Sequence, residues 1–142
     1  MPVVFGKAPG KIILFGEHAV VYGQPAIAIP VNNVKATARV IPEITPDPGR
    51  VRIEAPDIKI EADLKAMDEN HPLSKAVRLT LEAVSPDHTP SFTVQISSSI
   101  PISAGMGSGA AITVAIIRAL TSFLGGSLSP ERISDLAFEV EK

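Results

Sequence analysis

Apolar and polar positions alternate in several short stretches of the chain, and this pattern predicts strands. The clearest case is residues 91–97, where Phe92, Val94 and Ile96 alternate with polar neighbours. Residues 34–41 alternate in the same way. Shorter apolar runs predict further strands at residues 3–5, 11–15, 26–31, 51–55 and 58–62. Ala8-Pro9-Gly10 separates the first two of these, and the last two form a hairpin around Pro56-Asp57.

Apolar residues recur at helical spacing in three other stretches. Residues 72–84 form an amphipathic pattern that opens with a proline and ends before Ser85-Pro86-Asp87. Residues 107–124 are apolar nearly all round, which predicts a helix buried in the core and ended by Gly125-Gly126. Ser129 then caps a last helix, with Pro130 at its first position.

Composition narrows the class of protein. The chain has 142 residues, enough for one domain, and its 45% hydrophobic and 20% charged residues are ordinary for a soluble protein. A net charge of −2 without a basic run argues against nucleic acid as a partner. The absence of cysteine excludes disulfides and thiolate metal sites and is compatible with a reducing compartment. Since no apolar run reaches about 20 residues, we expect no membrane span.

The helical pattern that opens at Ser129 is still running at Lys142. A domain rarely ends inside a helix without a cap, so we expect residues 1–142 to be the N-terminal part of a longer protein.

A glycine-rich segment joins the strand of residues 91–97 to the buried helix: Ser103-Ala104-Gly105-Met106-Gly107-Ser108-Gly109-Ala110-Ala111. The first turn of a helix has unpaired N–H groups and a partial positive charge, so a phosphate fits there. A plain glycine-rich turn before a buried helix is the alternative interpretation. The segment is not a P-loop, because no lysine lies between Lys75 and Lys142.

A second polar cluster lies near the N-terminus. Lys11 directly follows Pro9-Gly10 and could neutralise a phosphate or a developing negative charge, although it could also be a solvated lysine at the end of a strand. Glu17 and His18 are adjacent polar residues in an otherwise apolar run. Burying such side chains costs free energy unless they face a ligand or cap the local backbone. No His, Asp and Glu triple shows the spacing of a metal site.

Together, Pro9-Gly10-Lys11, the Gly-Glu-His-Ala-Val-Val-Tyr-Gly string of residues 16–23 and the glycine-rich segment resemble the N-terminal half of the mevalonate kinase family. That family belongs to the GHMP small-molecule kinases. A third match, residues 137–142, resembles the helix that supplies the family's acidic magnesium ligand. The resemblance implies an α+β domain with the GHMP N-terminal fold, a sheet covered by helices that is like domain 2 of ribosomal protein S5. It also implies that the family's C-terminal domain lies outside this chain.

The resemblance also implies roles for individual residues. Lys11 would lie beside the transferred phosphoryl group, and Glu17 and His18 would line the mevalonate pocket. The segment from Ser103 to Ala111 would surround the phosphates of ATP, and Ser108 with Glu141 would hold Mg²⁺. The implied reaction transfers the γ-phosphoryl group of ATP to the 5-hydroxyl of mevalonate, in isoprenoid precursor synthesis. The family further implies a cytoplasmic enzyme and allows a homodimer.

Two departures from the family pattern matter. Many members have two serines where this chain has Ser108-Gly109, so Ser108 would have to act as the metal-binding hydroxyl. The segment with the family's catalytic aspartate follows the last helix and is missing, so these 142 residues alone should have little or no activity. The alternatives are another GHMP kinase, such as phosphomevalonate kinase, and a non-catalytic binding protein of the same fold.

Overall fold

The computed structural model describes residues 3–15, 27–44, 49–84, 86, 89–100 and 108–141, and for residues 10–15, 27–33, 108 and 141 it describes the backbone only. These ranges form a five-stranded sheet and three α-helices. The strands are β1 (Val4–Phe15), β2 (Ile27–Pro42), β3 (Val51–Ala55), β4 (Ile60–Asp63) and β5 (Phe92–Ser98). The helices are α1 (Pro72–Val84), α2 (Ser108–Phe123) and α3 (Pro130–Glu141).

The sheet has the strand order β1-β2-β5-β3-β4. β5 is antiparallel to β2 and parallel to β3, and the other neighbouring strands are antiparallel. The chain passes from β3 through the edge strand β4 and helix α1 before it returns as β5. The predicted α+β class is confirmed.

One face of the sheet carries the core. Small residues on β1 and β2 (Gly6, Ala8, Ala36 and Ala38) lie under α2, and bulkier residues on the other strands fill the rest of the interior. On the opposite face a row of more exposed side chains crosses all five strands: Phe5, Arg39, Gln95, Glu54 and Glu61. This alternation is the reason why the helices cover a single face. None of the described helices is long and apolar enough to cross a bilayer.

The predicted break at Ala8-Pro9-Gly10 is wrong, because β1 continues through it. The two runs predicted at residues 26–31 and 34–41 likewise form the single strand β2. The pairing between these strands shifts its register between Pro9 and Gly10. Such an irregularity lets a strand accommodate a proline and keep its partner on both sides. Residues 17–23, which belong to the Gly-Glu-His-Ala-Val-Val-Tyr-Gly string, lie outside the described residues.

The hairpin of β3 and β4 is confirmed, but its second strand begins at Ile60 rather than Ile58. Pro56–Ile58 form a 3-10 turn, and Lys59 adopts a left-handed conformation with φ of 56°. Another short 3-10 turn, Leu64–Ala66, follows this hairpin.

The ends of α2 and α3 follow the local signals in the sequence. After α2, Gly125 has a φ of 73°, its N–H donates to the Ser122 carbonyl, and the Gly126 N–H donates to the Thr121 carbonyl at 2.9 Å. This pair of bonds is the Schellman arrangement, which uses two carbonyls left unpaired at the end of a helix. Before α3, the Ser129 hydroxyl accepts the Arg132 N–H at 3.1 Å, which confirms the predicted cap.

Replacing Ser129 with alanine should lower the free energy of unfolding by about 1 kcal/mol, because one N–H in the first turn of α3 loses its acceptor. The measurement is urea denaturation of the wild-type and Ser129→Ala proteins. Ser122→Ala is the matched control, since the exposed Ser122 has no side-chain hydrogen bond among the described residues. Equal losses in both variants would contradict the capping role.

Candidate active site

The N-terminus of α2 carries the partial positive charge of a helix end. Ser108 is its first residue, Gly109 is exposed, and Ala111 is buried with 4% exposure. The first turn contains no acidic residue, so no carboxylate of this helix competes for the unpaired N–H groups. Because Gly109 has no side chain, a ligand can reach the backbone there closely. This end of α2 therefore fits an anion such as a phosphate.

The packing of α2 shows at which end of the sheet its N-terminus lies, where an end is the side at which the strands begin or finish. Phe123, the last residue of α2, packs against Phe92, the first residue of β5, with ring centroids 5.3 Å apart. Thus α2 runs back along the sheet, opposite to β5 in direction. Its N-terminus lies at the end of the sheet where β5 finishes, beyond Ser98 and the buried Ile100.

The backbone of Lys11 lies toward the same end of the sheet. β1 and β5 are both antiparallel to β2, so they run in the same direction. Ala8, Ala36 and Ser98 are paired across these three strands, and Lys11 is further along β1, opposite Pro30. The backbone of Lys11 is therefore on the side of Ala8 that faces the start of α2.

Two contacts hold β1 against α2. At Gly6 the strand approaches the helix so closely that a Cβ there would lie 2.3 Å from the Ala115 carbonyl oxygen and 2.5 Å from the Ala119 nitrogen. Next to it, Arg118 Nη1 donates a hydrogen bond to the Lys7 carbonyl at 2.7 Å. Neither Gly6 nor Arg118 is among the site residues predicted from the sequence, although a glycine inside a strand is a recognised signal of close backbone approach.

Helix α3 brings Glu141 to the same end of the domain. A short connection joins α2 to α3, and Ile117 packs in one cluster with Leu136 and Ala137. Such short connections join antiparallel neighbours, so the last residue of α3, Glu141, and the first residue of α2, Ser108, lie at one end of this helix pair. A hydroxyl and a carboxylate are oxygen donors of the kind that Mg²⁺ prefers.

The remaining predicted site residues, Glu17, His18 and the segment 103–107, lie outside the described residues. His71 is half-buried and has a local role. Its Nδ1 accepts the Leu73 N–H at 3.2 Å at the start of α1. Among the residues that the structure describes, no group of three or more His, Asp or Glu side chains could hold a metal ion.

A family profile described as the GHMP kinases N terminal domain matches residues 71–142, which is half of the chain. The chain belongs to the GHMP kinase family. The resemblance inferred from its sequence motifs is thereby confirmed, and so is the expected N-terminal fold of that family.

Relatives of this GHMP kinase chain extend the match over nearly its whole length. It is 38% identical to the mevalonate kinase of Thermococcus sibiricus over 156 residues and 39% identical to that of Pyrococcus horikoshii over 153 residues. Both alignments cover 97% of this chain and 44% of the relative, so the chain spans less than half of their length. The crystal structure of the Methanococcus jannaschii mevalonate kinase is 30% identical, with a TM-score of 0.82, and covers 99% of this chain and 46% of that one.

Proposed function

We propose that the intact protein that carries this chain transfers the γ-phosphoryl group of ATP to the 5-hydroxyl of mevalonate. The observation that carries this proposal is the identity of 38–39% to two proteins named mevalonate kinase, over 97% of the chain. The N-terminus of α2 and Lys11, whose backbone lies toward the same end of the sheet, would supply the positive charge that phosphoryl transfer needs. This chemistry depends mainly on positioning and on stabilisation of negative charge.

In this proposal, the backbone N–H groups of the segment from Ser103 to Ala111 bind the phosphates of ATP. The exposed Gly109 leaves room for them at the first turn of α2. Lys11 places its ammonium group beside the transferred phosphoryl group and stabilises the charge that develops on its oxygens. Gly6 and Arg118 hold β1 against α2, so they keep the strand of the lysine and the phosphate-binding helix in a fixed relation.

Ser108 and Glu141 are the proposed ligands of Mg²⁺, because they begin α2 and end α3 at the same end of the domain. When bound, the metal ion would neutralise charge on the phosphate oxygens. Glu17 and His18 follow the end of β1 by two and three residues, and we propose that they bind mevalonate.

The test of the substrate is an assay of ADP release by the intact protein with mevalonate, phosphomevalonate, galactose and homoserine. We expect clear preference for mevalonate. Phosphomevalonate is the main alternative, but its extra phosphate calls for further basic residues, and none is near Glu17 in the sequence. Equal or faster turnover of another substrate would overturn the assignment, and ATP binding without turnover of any substrate would favour a non-catalytic binding protein.

Replacing Gly109 with aspartate should weaken ATP binding about tenfold or more, because a carboxylate in the first turn of α2 repels the phosphates and occupies their N–H donors. The same carboxylate favours the helix dipole, so stability should be unchanged or slightly higher. Calorimetric titration with ATP and urea denaturation measure the two effects.

Gly109→Asn is the matched control, with nearly the same shape and no charge. If aspartate and asparagine reduce ATP affinity equally, the charge at this helix end has no role. Unchanged affinity in both variants would contradict phosphate binding at α2.

A further inference from the structure

A cleft of about 660 Å³ lies at the other end of the sheet from the start of α2. It is bounded by the beginning of β3, the end of β4 and helix α1. Arg50 and Val51 of its lining are next to Phe92, where β5 begins, whereas β5 leads toward α2 from Ser98. The length of β5 alone separates the two places by about 20 Å. The volume is in the range of small-molecule sites.

The described lining of the cleft has an excess of positive charge. It contains three cationic side chains, Arg50, Lys65 and Arg78, and one carboxylate, Asp63. Asp63 is already shared, because Arg50 Nε lies 3.2 Å from its Oδ1 and Arg52 Nε lies 3.7 Å away. Neither Lys65 nor Arg78 has a carboxylate within 4.0 Å among the described residues. Among the described side chains of the lining, the unneutralised positive charge therefore belongs to Lys65 and Arg78.

Arg78 is held in one orientation. Its Nε donates to the hydroxyl of Ser74 at 2.9 Å, and its Nη2 donates to the Leu64 carbonyl at 2.8 Å. Ser74 is fully buried, so the anchoring hydroxyl belongs to the core. A guanidinium has five N–H groups, and these two bonds use two of them. The half-buried Arg78 thus keeps donors for a further acceptor, at a fixed position in the cleft wall.

Val51, Leu64 and Leu81 form an apolar part of the wall, and Gly49 and Thr89 also line the cleft. We propose that this cleft binds a small molecule with an anionic oxygen group, phosphate or carboxylate, on a short apolar chain. Arg78 and Lys65 bind the anionic group, since a guanidinium donates paired hydrogen bonds to such oxygens. The apolar chain lies against the leucines and Val51. The site does not depend on the proposed kinase activity.

The test is an NMR titration of the ¹⁵N-labelled intact protein with n-butyl phosphate, pentanoate and inorganic phosphate. We expect saturable shifts of the amides of residues 49–51, 63–65 and 78–81, with inorganic phosphate binding more weakly because it lacks the apolar chain. The tighter of the two aliphatic probes identifies the preferred anionic group, and either preference supports the proposal. Shifts confined to α2, or no saturable shift because the cleft is covered in the intact protein, would overturn it.

Lys65→Glu reverses one of the two unneutralised charges at an exposed position, so folding is not at risk. We expect the dissociation constant of the tighter probe to rise at least tenfold in this variant. Lys35→Glu is the matched control, since it makes the same charge change at an exposed position on β2, outside the cleft lining. Equal affinities in both variants would show that Lys65 does not bind the anion and would overturn the site.

Discussion

Replacing Lys11 with methionine is expected to lower kcat about 100-fold or more, the scale seen when one donor to a transition state is removed. Methionine keeps much of the side-chain length and removes the charge. A cation placed beside the transferred phosphoryl group stabilises the transition state more than the bound substrate, and only that difference speeds the chemical step. The KM for ATP should therefore change much less than kcat. Steady-state kinetics of the intact protein with mevalonate measures both constants.

Lys7→Met is the matched control for this experiment. Lys7 is exposed on the same strand, and its backbone carbonyl, not its side chain, accepts the bond from Arg118. This control should leave both constants near the wild-type values. A near-normal kcat in Lys11→Met would show that Lys11 is away from the reacting atoms, and the placement of β1 beside the phosphate-binding end of α2 would then have no catalytic meaning.

Replacing Gly6 with alanine should lower the free energy of unfolding by about 3 kcal/mol or more, at the upper end of the cost of overpacking. The added Cβ would lie 2.3 Å from the Ala115 carbonyl oxygen and 2.5 Å from the Ala119 nitrogen. Both are backbone atoms of α2, so neither can move aside by a side-chain rotation. The strand and the helix must separate instead. Urea or thermal denaturation of the intact protein measures the loss.

Gly126→Ala is the control, because a Cβ there would meet a side chain, Val84 Cγ1, at 2.8 Å. A valine side chain at the end of α1 can shift, so the loss should be clearly smaller than for Gly6→Ala. Where folded Gly6→Ala protein is recovered, we also expect lower kcat, since small displacements of catalytic groups are costly. Similar stability of the two variants would show that β1 and α2 are less tightly packed than the structure has them.

Local patterns in the sequence determined the helices. The 3.6-residue period of apolar positions, the cap at Ser129-Pro130 and the stop at Gly125-Gly126 act within a few residues of each other. They predicted α1, α2 and α3 with ends close to those observed. The same holds for the glycine-rich start of α2, because an unpaired helix N-terminus is a local property of the chain.

The length of the long strands β1 and β2 could be determined only from the tertiary structure. Pro9 and Gly10 read locally as a break, yet β1 continues because β2 pairs with it on both sides of a register shift. A residue pattern covers one strand, whereas a partner far away in the sequence decides whether that strand continues.

The tertiary structure also decided how the candidate site is assembled. The sequence by itself singled out Lys11 and the segment around Ser108 through glycine, proline and charge, but they are almost a hundred residues apart. Their backbones come to the same end of the sheet only because β1 pairs with β2, β2 pairs with β5 and α2 runs back along the sheet. Gly6 is part of that packing, and its importance comes from the backbone of α2, which no pattern within β1 could reveal.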